Sequence, residues 1–533
     1  MSRKRREDKQ FEELQDRKKR RLEESRRRSG VEANPAKSLH RESGRKKRRG
    51  EHKREKKQPG TVFLLVQAIV SAVFMIALLL LNMLPLKYLA AAVLILVVLL
   101  ILTAYMIRKH GLSGRVLSVI LTLILAVGSF YIFKTYGAIL NISGGSEKID
   151  KMVVAVLTDD PAQSIQDAKD YTFGVQYSIK GEQTTDTIEQ INSELGGSIS
   201  TYEYGSLGEQ AQALRNGYVR AIIYNEAYTD ILEDVFDGYS DSIRIIYSYS
   251  ISSTVATLGN VSNVTEEPFA VYISGIDVYG AIETNSRSDV NIIAVVNPNT
   301  RQILLVTTPR DYYVEIPGIS GGQKDKLTHA GVYGVDISVV TLEQLYDTDI
   351  DFYARVNFTS LIEMVDALGG IDVESKIAFT TSKASGAVVD IQNGTNRLNG
   401  EEALAFCRER KNLDDGDNQR GKHQQAVLTA MIKKMMTPAI LTSANGILNS
   451  VQGNAETNMG QSQIQSLVKM QLSEGGSWNI ISMAAEGTGD KQYCYSYSDS
   501  ALYVTLPDAA SVAEISAAID SVMNGDLLIE QDE

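Results

Sequence analysis

Seven residues stand out for their chemistry, because each lies where an apolar run breaks off. Asp277 closes FAVYISGID, Arg287 and Asp289 precede VNIIAVV, Arg310 follows QILLVTTP, and Arg408, Arg410 and Arg420 fall within CRERKNLDDGDNQR. In an α/β fold the carboxyl end of a strand is where ligands meet the sheet. Planar guanidinium forks suit the oxygens of a phosphate-rich anion, and a pair of carboxylates suits a hard divalent cation. No pair in these stretches is placed as a nucleophile beside its base. Any one of these charges reads equally well as an ordinary strand-end salt bridge, but the clustering favours a site.

The elements that must position these residues follow from local pattern. VNIIAVV and QILLVTTP flank the turn NPNT (297–300), which predicts an antiparallel hairpin with Arg287, Asp289, Arg310 and Asp311 at its open end, beside the end of the Asp277 strand. Arg408 and Arg410 lie two apart. On a helix they would diverge, whereas on an extended segment they share a face, so the chain is expected to be extended there. DNQRGKHQQAVLTAMIKKMM then reads as a helix in which Asp417, Arg420 and Gln424 align at i, i+3 and i+7. The opposing reading, a solvated charged face, suits Lys422 and His423. GVDISVVTLEQLY and TSLIEMVDALGG read as helices around the extended DFYARVNF, with Gly369-Gly370 as a helix stop. His329 in KLTHAG is either a general base or, more in keeping with a lone histidine, a packing residue. The apolar stretches LIEMVDAL and VLTAMIKKMM are either plain core or the lining of a greasy tunnel. ALYVTLPDAASVAEISAAID reads as a closing strand and helix.

The chain has 533 residues and a formal net charge of -11, unevenly spread. Residues 1–58 hold 24 Lys/Arg against 11 Asp/Glu, so a basic head precedes an acidic body. That head cannot bury a core and is expected to be disordered or transiently helical. Its RKKRR (45–49) suits anionic lipid beside a membrane span better than nucleic acid, for which no binding motif is present. Three apolar runs near 61–83, 88–107 and 116–133 each approach the roughly 20 residues that cross a bilayer. Arg108, Lys109 and Arg115 between the second and third place that connection, and the N-terminus, in the cytoplasm, leaving the acidic body outside. The long basic leader and repeated spans exclude a cleavable signal peptide. Cys407 and Cys494 allow one bridge or two free thiols.

Between the spans and the site, strands (VVAVL, FGVQYSI, AIIYN, IRIIYSYSI) alternate with helices (SIQDAKDY, TIEQINSELG, EQAQALRNG), which predicts an α/β accessory domain. The expected organisation is a basic segment over 1–58, three transmembrane helices over 59–136, an extracellular accessory domain over 148–264, a catalytic domain over 267–525 and a solvated tail over 526–533.

GID, RSDVN, TTPRD, DKLTHAG, RVNF, VDALGGIDV, LNGEEAL, CRERK and GDNQRGKHQ, in this order and spacing, resemble the LytR-CpsA-Psr family of membrane-anchored bacterial envelope enzymes. The match is dense over about 267–435, and the accessory domain between membrane and site resembles the family's capsule-associated branch. The resemblance implies an α-β-α sandwich with a mixed central sheet and an apolar pocket for a polyprenyl chain, its diphosphate at the mouth. It further implies Mg²⁺ (or Mn²⁺) on Asp277 and Asp289, and a diphosphate gripped by Arg287, Arg310, Arg408, Arg410 and Arg420. Asp417 and Gln424 would orient those arginines, with Asp417 a candidate base. His423 stands where many members have a second arginine, which implies weaker or pH-dependent anion binding there. The implied reaction moves a glycopolymer from its polyprenyl-diphosphate carrier to peptidoglycan at the plasma membrane. A hydrolase of the same lipid and a non-catalytic scaffold of polymer export are the rival readings.

Overall fold

The computed structural model describes residues 60–142, 147–255, 258–259, 261–277, 282, 284–413, 416–437 and 455–529; the basic head lies outside them. Three helices, Gly60–Leu81, Leu86–His110 and Leu112–Ile142, are long and apolar enough to cross a membrane. Their outward side chains are large hydrophobics such as Leu65, Leu94 and Leu123, as a lipid-facing surface requires. Where the three helices meet, Gln67 donates to Thr103 Oγ1 (3.4 Å) and accepts from Ser118 Oγ (2.9 Å). Such a polar contact, shielded from lipid, fixes which helix faces pack together.

The accessory domain is a five-stranded sheet in the spatial order Ser200–Glu203, Thr172–Val175, Ala221–Asn225, Glu147–Leu157, Ile243–Thr254. Helices Gly181–Leu195 and Leu207–Arg215 are two of its predicted elements. SIQDAKDY, expected as a helix, forms turns instead. There Asp160 and Asp167 accept hydrogen bonds from the Ala162 and Gln163 amides and divert the backbone from the helical ladder. The edge strand Ser200–Glu203 was absent from the sequence reading because its side chains are all exposed and carry no apolar alternation.

The second α/β body holds a six-stranded mixed sheet in the order Ala455–Thr457, Phe352–Asn357, Phe269–Ile276, Val290–Asn297, Gln302–Thr307, Asn479–Ala484. The predicted hairpin forms in the register Ile292↔Thr307 to Asn297↔Gln302. Phe269–Ile276 lies against it antiparallel and against Phe352–Asn357 in parallel. Successive hairpin residues face opposite layers. Ile293, Val295, Leu304 and Val306 pack with residues of helices Val335–Tyr346 and Ala509–Asn524, whereas Ile292, Ala294, Ile303 and Leu305 pack with residues of Gly416–Met435. The architecture is therefore the expected α-β-α sandwich. Gly275, in register with Val290, is held to glycine by space, since a Cβ there would lie 2.7 Å from that side chain. The strand Tyr497–Pro507, expected to close the domain, instead pairs with Gly487–Cys494 as a separate hairpin.

That hairpin joins the two bodies. Tyr228, Leu232 and Tyr239 of the accessory domain share one buried cluster with Tyr333, Cys494 and Val504. Lys180 Nζ sits 2.7 Å from Asp150, which also accepts from Asn225 and, across the junction, from Asn285 of the second body. Burial alone would raise the Asp150 carboxyl, but Lys180 and these hydrogen bonds hold it below the usual range. Lys180→Met should leave that carboxylate enclosed without its cation and cost about 3–5 kcal/mol. A clear drop in the unfolding midpoint is expected, and an unchanged midpoint would show that the pair stabilises nothing.

Candidate active site

At the end of the Phe269–Ile276 strand a cleft opens between the sheet and the helices Phe358–Ala367, Gly400–Arg408 and Gly416–Met435. Its empty space, open side included, is about 1190 Å³. The interior is apolar, with Ile276, Val290, Leu361, Met364, Val427 and Met431 on its walls. LIEMVDAL and VLTAMIKKMM thus line a cavity as well as a core. Charged Asp277, Asp289, Arg408, Arg410 and Arg420 and the polar Gln424 line the same cleft.

Local structure explains the placement. Asn399 and Glu402 form a capping box that starts helix Gly400–Arg408. The helix runs one residue further than expected, through Arg408, and Glu409 then turns extended (φ -63°, ψ 133°), which carries Arg410 onto the same cleft. Glu409, missed by the sequence reading, anchors this break. Its carboxylate accepts from Ser385 Oγ (2.9 Å), from the Arg410 amide (2.9 Å), from the Asn412 amide (3.1 Å) and from the Ser382 amide. Burial would raise its carboxyl, but these donors pull it down to about 2.

The electrostatics centre on Asp289. Arg310 Nη1 donates to it at 2.8 Å and Thr328 Oγ1 at 3.3 Å. Burial opposes its charge, yet Arg310, Arg287 and Arg420 together hold its carboxyl below the usual range. Asp277, with about half its side chain exposed and Arg408 Nη2 at 3.7 Å, behaves oppositely. Partial desolvation pushes it up, Asp289 and Asp230 add to that, and Arg408 and Arg287 only partly offset it. Arg408 is steadied by the Phe358 ring, 4.4 Å from its guanidinium carbon. Two neighbouring carboxylates, one of them left unfavourably charged, fit a hard dication. Among the described residues no cluster of three or more acids, histidines or cysteines that could hold a metal is present.

Arg310 does not itself line the cleft but is bound to Asp289, which does, and Arg287 lies outside the lining altogether. Arg287 points to the accessory domain, with Nη1 2.6 Å from Asp234 and Nε 3.5 Å from Asp230. Asp417 starts the helix Gly416–Met435, but its side chain lies outside the described residues. His423 is neither solvated nor an anion ligand. It is buried against the rings of Phe406 (4.2 Å) and Phe379 (5.0 Å), which also touch each other, and burial drives its imidazole down to about 4. The ring is therefore neutral at physiological pH, and the pH-dependent anion binding expected there has no source. His329 is likewise internal, its Nδ1 2.6 Å from Asp325, which also accepts from the Ser496 amide; it is a packing residue. Cys407 and Cys494 are both free and buried, in separate clusters.

A membrane-anchored α/β protein with an arginine-lined, acidic-centred mouth on an apolar cleft is the class that this fold and site define. The chain belongs to the LytR_cpsA_psr family, whose pattern matches residues 237–510, about half of its length. The polyisoprenyl-teichoic acid–peptidoglycan teichoic acid transferase TagU of Bacillus anthracis (strain CDC 684 / NRRL 3495) is 34% identical over 282 residues, 50% of this chain and 88% of that protein. The protein of the same name from Enterococcus faecalis (strain ATCC 700802 / V583) is 32% identical over 241 residues, 45% and 76% of the two chains. The crystal structure of B. subtilis TagV aligns with 49% of this chain and 98% of its own, at 26% identity and a TM-score of 0.42.

Because the Glu409 carboxyl is held at about 2, below its ordinary 4.5, its stabilisation is complete above about pH 4.5 and lost as pH falls toward 2. Glu409→Gln should reduce amide-exchange protection at Ser382 and Asn412 at neutral pH and abolish that acid dependence. Unchanged protection would mean that the carboxylate does not hold the break. An NMR titration of His423 should give a midpoint near 4, and one near 6.5 would contradict the buried stack.

Proposed function

We propose that this protein transfers a glycopolymer from a polyprenyl-diphosphate carrier to peptidoglycan, on the outer face of the plasma membrane. The observation that supports this best is the gathering of Arg408, Arg410 and Arg420 with Asp277 and Asp289 on an apolar cleft, with Arg310 bound to Asp289. A diphosphate carrying a long hydrocarbon tail has the same division into charged head and apolar body.

In the proposed reaction an acceptor hydroxyl attacks the phosphorus nearer the sugar. The P–O bond to the bridging oxygen breaks, a phosphodiester forms and polyprenyl phosphate leaves, so the anhydride itself supplies the driving force. The protein's task is positioning and charge stabilisation. Arg408 and Arg410, brought to one wall by the break at Glu409, would grip the diphosphate together with Arg310 and Arg420. Gln424, one helical turn beyond Arg420, would fix the orientation of that guanidinium. Asp417, at the start of the same helix, is proposed to take the acceptor's proton. Asp277 and Asp289 would hold Mg²⁺ (or Mn²⁺), which when bound neutralises charge on the diphosphate oxygens. The basic head and the charged connection Arg108–Arg115 are read as cytoplasmic, with the sandwich outside. The names of the relatives make a teichoic acid the first donor polymer to test, and the intervening accessory domain makes a capsule polysaccharide the second.

Purified full-length protein, given a synthetic polyprenyl-diphosphate sugar, Mg²⁺ and peptidoglycan fragments, should attach the sugar phosphate covalently to the glycan. Asp277→Ala should lower that rate by about 10²-fold, the scale for loss of one charge-stabilising group. Release of soluble sugar phosphate at the same rate without peptidoglycan would identify a hydrolase instead. An Asp277→Ala variant of full activity would remove the carboxylate pair from the chemistry.

A further inference from the structure

The stretch DKLTHAG has no part in the reaction proposed above, yet it packs directly behind Asp289. Helix Leu327–Tyr333 begins within it, and a helix leaves its first amides without internal partners. Here they bond the segment that carries Arg310: the Leu327 amide donates to Tyr312 O (2.8 Å) and the Thr328 amide to Arg310 O (2.8 Å). On its other side the helix meets the loop that carries Asp289. The Ser288 amide donates to Thr328 O (3.2 Å), and a Cβ at Gly331 would lie 2.6 Å from Ser286 O and 2.9 Å from Ser288 N. The Thr328 hydroxyl, on a residue only 1% exposed, donates to Oδ1 of Asp289 (3.3 Å). Amide, carbonyl and hydroxyl of this one threonine thus tie together the loops of Arg310 and Asp289.

Asp289 is held at both backbone and side chain. Its amide donates to Gly275 O (2.8 Å), on the strand that leads to Asp277. Arg310 Nη1 (2.8 Å) and the Thr328 hydroxyl reach the same carboxylate oxygen, Oδ1. Oδ2 accepts no hydrogen bond from any described residue, and Asp289 lines the cleft. We propose that Thr328 is a positioning residue for the metal site: with Arg310 it fixes Oδ1, which presents Oδ2 of Asp289 to a divalent cation in the cleft. This rests on the assignment of Asp277 and Asp289 to Mg²⁺ above. One donor on Oδ1 leaves the carboxylate free to swing about that contact. A second donor, mounted on backbone tied to both loops, removes the swing. Loss of the hydroxyl has two opposing effects. The carboxylate becomes a slightly stronger base, which favours a cation, and it loses its fixed orientation, which disfavours one. The hydroxyl is neutral and 3.3 Å away, so the first effect is small. Loss of an outer hydrogen bond to a metal ligand typically weakens metal binding about 10- to 100-fold, so orientation wins.

The test is Mn²⁺ binding to the full-length protein, read from the loss of the free-ion signal in electron paramagnetic resonance. Thr328→Val keeps the shape and the backbone contacts and should weaken binding about 10-fold, the lower end of that range because the hydrogen bond is long. Thr328→Ser should bind as wild type. Thr328→Ala, which lacks the same methyl as the serine variant, should match the valine variant, so a cavity is told apart from a lost hydroxyl. Thr341→Val removes another buried hydroxyl, bonded to Ile337 O (2.6 Å) in helix Val335–Tyr346, and should bind as wild type. Wild-type affinity in Thr328→Val overturns the inference, as does a loss in Thr328→Ser as large as that in Thr328→Ala. A wild-type protein that binds no Mn²⁺ overturns the metal assignment and the role of Thr328 with it. The expected series in a protein that transfers no sugar to peptidoglycan sinks the proposed reaction and leaves the role of Thr328 standing. Sugar transfer by a protein whose Thr328→Val variant binds Mn²⁺ as wild type does the reverse.

Discussion

Guanidinium groups cannot be gathered in a part-enclosed cleft without an anion among them, and Asp289 is that anion. Arg310, Arg287 and Arg420, from three separate stretches of the chain, all favour its charged form against burial. Withdrawing cations from water is costly unless each finds a counter-charge. Much of the architecture serves this convergence. The hairpin Val290–Asn297 and Gln302–Thr307 brings Asp289 beside Arg310. The parallel neighbour Phe352–Asn357 leads into the helix that carries Phe358 under Arg408. Helix Gly416–Met435 supplies Arg420 from above.

The same elements build the apolar half of the cleft, so head and tail recognition are not separable modules. Gly416–Met435 presents Ile432 to the sheet, Val427 and Met431 to the cleft and Leu428 to both, within a few turns of Arg420. A change in how this helix seats on the sheet would alter both ends of the site together. The buried stack of Phe379, His423 and Phe406 ties that helix to Gly400–Arg408, so the two arginine-bearing helices share one internal contact. A neutral imidazole is what this site favours, because burial disfavours the charged ring by more than the Phe406 backbone and Glu409 favour it.

The sandwich, its hairpin and the three apolar helices were legible because period-2 and period-3.6 patterns and a strong turn point the same way. The cluster at the strand ends was legible from arginines and aspartates placed at the breaks of apolar runs. What escaped was set by contacts across the fold. Glu409 reads locally as one more charge in CRERK, and only the amides of Ser382 and Asn412 reveal it as a buried anchor. His423 sits at a spacing that suits an exposed face, and two distant phenylalanines take it inward. SIQDAKDY has helix-like spacing, but Asp160 and Asp167 win the backbone amides. The partners of Arg287 lie more than fifty residues upstream, in a domain whose sequence gives no hint of a site.

The central claim is that this charged mouth holds the diphosphate of an isoprenoid lipid. Mass spectrometry of lipids retained by the full-length protein in Mg²⁺ tests it most directly. A polyprenyl-diphosphate species should accompany the wild type and vanish from an Arg310→Ala/Arg420→Ala variant that keeps the wild-type unfolding midpoint. Wild-type protein carrying no isoprenoid lipid, or a variant retaining as much as the wild type, would contradict it.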